Sequence, residues 1–245
     1  LQSHDKLLGV LDLFDENRPE WGFDDIHERL GYSRSTLYRY LKVLLDAGLL
    51  SSFPGRGYTL GPRIIELDYQ IMANDPLIHA ARPVMHELVA SYSCVSLLCR
   101  RYRQKVLCVH QEVSTTKVRS NYERGRSRPL LRGAASQVIL AYLSSYQLTK
   151  LYEEDQDGFA DAGLGNTLAA VRKSLRVIRQ RGWYHTQGQV TPGVTGVAAP
   201  IFDANDEITG SISLTFPEPA LSQEKLDSVG ERIEFSARVI SNTLR

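Results

Sequence analysis

The stretch Asp24–Leu44, DDIHERLGYSRSTLYRYLKVL, decides the class of fold, because it reads as two short helices joined by a tight turn. Asp24 is placed to cap the first helix, Ile26 and Leu30 face inward, and Gly31 ends it where a positive φ is tolerated. Ser33 can cap the second helix. There Leu37, Leu41 and Leu44 fall at i, i+4 and i+7, which builds a buried stripe. Ser35, Tyr38, Arg39 and Lys42 fall on the opposite face by the same spacing. A helix with bases and hydroxyls outward and leucines inward is what a helix-turn-helix presents to the DNA major groove.

Outward from this stretch, His4–Asp15 carries Leu7, Leu8, Val10, Leu11 and Phe14 at helical spacing, which predicts a preceding helix. Downstream, LLSSFPGRGYTL at Leu49–Leu60 reads as two short strands around a Pro-Gly-Arg-Gly turn. Such a hairpin, tipped by Arg56, would be the wing of a winged helix. Helix position then assigns roles. Arg34, Ser35 and Thr36 in the first turn can reach phosphates or base edges of double-stranded DNA. Arg39 can offer two donors to a guanine, Tyr38 can pack on a sugar or a thymine methyl, and Lys42 and Arg56 suit phosphates. The alternative for these cations is a merely solvated helix face; the register of turn, hydroxyls and hairpin tip favours DNA.

The 245 residues suffice for one large domain or two modest ones, and 42% hydrophobic with 23% charged residues is ordinary for a globular chain. A net charge of +1 argues against a protein that coats nucleic acid non-specifically. Its distribution says more. Acidic residues of the amino-terminal part lie mainly before Ser33, whereas Ser33–Leu60 holds Arg34, Arg39, Lys42 and Arg56 against Asp46 alone. A small positive face on a locally acidic domain suits docking at a defined site. Cys94, Cys99 and Cys108 cannot all pair and lack metal-ligand spacing, so they read as buried thiols of a cytoplasmic protein. No signal-peptide pattern or membrane-length apolar run is present, and no membrane partner is expected.

Pro62–Asp75 carries Ile64, Ile65, Leu67 and Ile71 on a helical pattern that Asn74-Asp75-Pro76 breaks, and Ile78–Ser91 continues as helix. The first of these is a linker helix whose apolar side could meet a second copy and supply the symmetry of a palindromic operator, the alternative being a core contact within the chain. Beyond it, β-favouring runs at 93–113 and 118–123 precede a helix at Ala134–Leu143. Helices at Tyr146–Glu153 and Thr167–Arg181 follow, then strands at Trp183–Thr186, Thr195–Asp203 and Ile208–Phe216 and a final amphipathic helix. Strands mixed with helices, without βαβ alternation, predict an α+β domain with an antiparallel sheet.

GYSRSTLYRYLKVLLDAGLL followed by GYTLG resembles the IclR family of bacterial transcription regulators, whose recognition helix carries Ser-Thr-x-x-Arg-x-Leu, here Ser35, Thr36, Arg39 and Leu41. RPLLRGAASQVILAYL from Arg128, RQRGWYH from Arg179 and GVTGVAAPIFDANDEITGSISLTFP from Gly193 resemble later segments of the same family, so the likeness runs over nearly the whole chain. It implies a winged helix-turn-helix domain at 1–61, a linker helix at 62–77 and a GAF-like effector-binding, oligomerising domain at 78–245. A homodimer or homotetramer acting as repressor or activator is expected, with no cofactor and no metal. Matched position by position, the effector site would be Ala134 and Ala135 after Gly133, with Thr186, Gly196, Ser213 and Thr215. Small residues let a ligand approach backbone amides that can bind a carboxylate. Ser213 and Thr215 alternate on one strand and so share a face. Several relatives have an acidic or cysteine side chain where this chain has Thr186 and Gly196, and Ser136-Gln137 replaces their Gly-Lys, so the pocket is expected to be reshaped.

Arg119, Arg124, Arg126, Arg128 and Arg132 form a basic run broken only by Glu123. A solvated loop face would explain it. The sharper reading turns Arg128 or Arg132 inward to pair with an organic acid, an aromatic one fitting nearby Trp183 and Tyr184. No zinc, Ser-His-Asp, Cys-His or phosphate-loop motif is present, and His79 with His86 cannot complete a metal site, so a non-enzyme is expected. Two other readings remain: a winged-helix scaffold acting through protein contacts, or hydrolase-type chemistry using His185 and Ser213.

Overall fold

The computed structural model describes residues 3–114, 123–217 and 221–245. Arg119 and most of the strand expected at 118–123 lie outside the described residues. The chain divides into two compact units, Leu1–Asp75 and Pro76–Arg245.

The first unit runs α1 (Ser3–Leu8), a 3-10 turn (Leu11–Leu13), α2 (Phe23–Leu30), α3 (Arg34–Asp46), β1 (Leu50–Phe53), β2 (Gly57–Leu60) and α4 (Pro62–Asn74). The continuous first helix expected over His4–Asp15 is broken after Leu8. Gly9, a poor helix former, closes α1 on the Asp5 carbonyl at 2.9 Å, and Val10 then turns into the core. Asp24 is not a cap: Gly22 takes that position, and Asp24 and Asp25 sit in the first turn of α2, where carboxylates favour the positive end of the helix dipole. Gly31 ends α2 with φ 67°, and Ser33 caps α3 by accepting from the Thr36 N–H at 3.3 Å. Leu37, Leu41 and Leu44 are buried with Val10, Trp21, Ile26 and Leu50. Each such side chain stabilises the unit by about 1.5–3 kcal/mol relative to leaving it exposed. β1 and β2 form the expected hairpin, and Trp21 exchanges backbone hydrogen bonds with Tyr58 to fasten it to the segment before α2.

The second unit contains α5 (Pro76–Ser91), β3 (Val95–Tyr102), β4 (Lys105–Val113), β5 (Ser127–Pro129), α6 (Ala134–Ala141), α7 (Ser145–Glu154) and α8 (Gln156–Asp161). It continues through α9 (Leu168–Arg181), β6 (Tyr184–Gln187), β7 (Val194–Phe202), β8 (Ile208–Pro217) and α10 (Gln223–Thr243). The strands form one antiparallel sheet in the order β5-β4-β3-β8-β7-β6. Val95, Leu97 and Ala198 on one face join the core beneath α6 and α9, while α5 and α10 also pack on the sheet. α6 is buried on every side, which its run of small and aliphatic residues permits. The family of expectations from sequence omitted α8, a short helix capped by Asp155, whose carboxylate accepts from the Gly158 N–H at 3.0 Å. Among the described residues no helix is long and apolar enough to cross a membrane.

Candidate functional site

On α3 the capped first turn is followed by an outward row. Ser35, Tyr38, Arg39 and Lys42 are exposed, Tyr38 to 66%, while Leu37, Tyr40, Leu41 and Leu44 are buried. Thr36 is half-buried and its hydroxyl accepts from Ser33 Oγ at 2.9 Å, which holds it in the cap. Arg34 lies over the Phe23 ring at 4.9 Å and pairs with Asp24 at 2.7 Å. Arg56 at the hairpin tip pairs with Glu20 at 3.0 Å. Both pairs are exposed, and such pairs are worth about 0–1 kcal/mol, so phosphates can compete for these guanidinium groups. The unit thus offers an exposed basic helix face and a basic hairpin.

The second unit builds a cavity of about 60 Å3 where the start of α6 meets the sheet. All seven positions expected of an effector site line it: Arg128, Ala134, Ala135, Thr186, Gly196, Ser213 and Thr215. Register explains the convergence. Thr186 stands opposite Gly196, which stands opposite Thr215, so these three share a face; Ser213 lies two residues along on the same side. Gly196 leaves open the space a methyl would occupy, its ideal Cβ being 3.8 Å from Ala134 Cβ and 3.9 Å from Thr186 Oγ1. α6 is tied down by two bonds, Ala134 N–H to Thr186 Oγ1 at 3.1 Å and Ser211 Oγ to the Ala135 carbonyl at 2.9 Å. Arg128 is half-buried on β5, whereas Arg132 is more exposed and lies 3.8 Å from Asp161.

Sequence reasoning missed the segment that closes this cavity. Gln189, Val190 and Thr191, in the hairpin between β6 and β7, line it together with Leu97 and Val194. Gln189 Oε1 accepts from the Gly133 N–H at 3.1 Å and lies 3.4 Å from Gln137 Nε2. The signal available in the sequence was GQVTPG, a turn flanked by glycines next to a strand.

Three expectations are corrected. Trp183 does not reach the cavity: it is buried, stacked beneath Arg181 at 3.5 Å and packed so closely on α10 that a Cβ at Gly230 would meet its ring. Tyr184 packs on the core behind α6 and is not among the lining residues. His185 stands opposite Val197, which stands opposite Leu214, so it shares a face with neither Ser213 nor Thr215. A His185–Ser213 pair is therefore excluded. Burial, with Arg181 nearby, lowers the His185 pKa. Burial pushes the Cys94 thiol up to about 12, and all three cysteines are buried thiols outside any disulfide. No group of His, Cys, Asp or Glu among the described residues could hold a metal ion.

A winged helix-turn-helix and a sheet domain with a cavity, on one chain, define a DNA-binding transcriptional regulator with an effector-binding domain. The chain belongs to the IclR family: the model of the IclR helix-turn-helix domain matches residues 3–52, and that of the bacterial transcriptional regulator IclR C-terminal domain matches 69–242. It is similar to the HTH-type transcriptional regulator KdgR of Escherichia coli (strain K12), 24% identical over 237 residues that cover 96% of this chain and 90% of the relative. Its fold is similar to that of an IclR family transcriptional regulator from Brucella abortus, with a TM-score of 0.82 at 21% identity, covering 100% of this chain and 93% of that one. It is also similar to an IclR homolog from Microbacterium hydrocarbonoxydans complexed with 4-hydroxybenzoate, with a TM-score of 0.76 at 19% identity, covering 100% and 99%.

Proposed function

We propose that this regulator binds a palindromic operator as a homo-oligomer and senses a small organic acid in the cavity at the start of α6. The observation that carries the second part is the lining itself. Two arginines, three sheet hydroxyls and the amino-terminal end of a helix converge on a void too small for a large apolar ligand. A carboxylate answers that set: guanidinium groups and helix-end amides both favour an anion. At about 60 Å3 the cavity has room for several waters, enough for a carboxylate head. An aromatic acid such as 4-hydroxybenzoate, the compound bound by the Microbacterium homolog, would need the Gln189–Thr191 segment displaced.

Arg39 is assigned to a base edge and Lys42 to a phosphate. In gel-shift titrations against operator variants, Arg39→Ala is expected to lose about 1–3 kcal/mol at one base pair only. Lys42→Ala should weaken all sequences alike and reduce the salt slope by about 1. Equal losses for Arg39→Ala on every sequence would remove it from the readers. For the cavity, calorimetric titration of small acids should show binding that Arg128→Ala or Arg132→Ala impairs; unchanged binding in both variants would sink the arginine assignment.

A further inference from the structure

The donors at the start of α6 are already engaged by side chains of the protein. The Gly133 N–H, at the entrance to α6, points to Gln189 Oε1 at 3.1 Å, and Gln137 Nε2 lies 3.4 Å from the same oxygen. Gln137 is itself fully buried, with Nε2 donating to the Leu131 carbonyl at 2.9 Å and Oε1 without a hydrogen-bond partner. The neighbouring Ala134 N–H is taken by Thr186 Oγ1. Val190 completes the cover, its Cγ2 lying where a Cβ on Gly133 would come within 2.6 Å.

We propose that Gln189 is an internal stand-in for the effector and sets the affinity and size limit of the site. Its amide oxygen holds the carboxylate position at the start of α6, and an acid binds by exchanging with it. This rests on the reading of the cavity as an acid site.

A carboxylate is the stronger acceptor for these donors, and the segment holding Gln189 is hinged by glycines. A carboxylate oxygen can accept from the same Gly133 N–H and Gln137 Nε2, and a charged acceptor makes bonds roughly twice as strong as a neutral one. Arg128 and Arg132 line the same space and favour the anion over the amide. The segment that must move is short. It runs between Gly188 and Gly193, both at positive φ with open space beyond, and Gln189 and Val190 are exposed on their outer side. Gly188 N–H stays bonded to the Val194 carbonyl at 2.9 Å, which gives the loop a fixed base about which to swing. Once Gln189 and Val190 leave, the void opens outward, and an acid with a larger body becomes admissible.

The test uses the full chain with acetate, benzoate and 4-hydroxybenzoate as probes, read by titration calorimetry and by amide hydrogen exchange. Gln189→Ala removes the competitor and should tighten acid binding by about 5- to 10-fold, the worth of one neutral hydrogen bond. Gln189→Glu places a tethered carboxylate at the position and should weaken it at least as much. Without any acid, Gly133 should exchange faster in Gln189→Ala and more slowly in Gln189→Glu. With benzoate, the wild-type 188–193 segment should lose protection while Gly133 keeps it. Acid binding that is unchanged or weaker in Gln189→Ala overturns the exchange while leaving the acid site standing. No binding of any probe to either wild type or Gln189→Ala overturns the acid site itself, and the proposal with it. Both variants lie on an exposed loop, and equal thermal midpoints without acid check that the fold is kept.

Discussion

At the scale of single residues, the cavity depends on one backbone conformation. Gly133 adopts φ 88° and ψ 151°, a region open to glycine alone, and this turns its N–H toward Gln189. An added Cβ would meet Val190 at 2.6 Å. Gly133→Ala is therefore expected to destabilise the second unit by about 1–3 kcal/mol in urea unfolding. It should also push the 188–193 segment outward, read as faster exchange there; a variant as stable as wild type would show that the strain is absorbed elsewhere. Single residues were also where sequence reading divided most sharply. Ala134, Ala135, Thr186, Gly196, Ser213 and Thr215 came from the family resemblance, position by position; spacing alone added only that Ser213 and Thr215, alternating on one strand, share a face. Trp183 was misplaced because it precedes β6 and no strand alternation fixes its side; its packing on Gly230 shows that it turns away from the cavity. Gln189 was illegible because no periodicity governs a loop; its role comes from a hydrogen bond spanning 56 positions.

At the scale of elements, the helices whose faces carry a clear period were readable from spacing, and those defined by punctuation were not. α3 follows from Leu37, Leu41 and Leu44 and from the Ser33 cap. The first helix was overextended because its apolar period continues through Gly9, whose cost a pattern match ignores. α4 carries the most consequential mismatch. None of its residues is buried, and at about 100° per residue Ile65 and Tyr69 fall on one side while Leu67 and Ile71 fall on the other. Ile65 is 73% exposed, Tyr69 67%, Ile71 52% and Leu67 41%. A helix apolar on two sides is stable in water only when something covers it, which supports oligomerisation through α4. Substituting Ile65→Glu together with Ile71→Glu should leave the secondary structure unchanged by circular dichroism and shift the sedimentation coefficient to that of a smaller species. An unaltered oligomer would move the interface away from α4.

At the scale of the whole molecule, two compact units on one chain can regulate only if acid and operator each prefer one of two arrangements. The coupling between them must be reciprocal: whatever factor an acid applies to operator affinity, the operator applies to the acid. For a working regulator that factor is about 5- to 150-fold. On the proposed exchange, an acid that expels Gln189 would swap one loop conformation for another at the edge of the sheet, a physical origin for such a factor. Measured as operator affinity with and without saturating benzoate, and as benzoate affinity with and without operator, the two ratios should agree within error. Their direction distinguishes release of DNA by the acid from its retention. In Gln189→Ala the loop is freed before any acid arrives, so the variant's operator affinity without acid should move toward the acid-bound value of the wild type. Reciprocal coupling that survives in full in this variant would place the switch in elements other than the 188–193 loop.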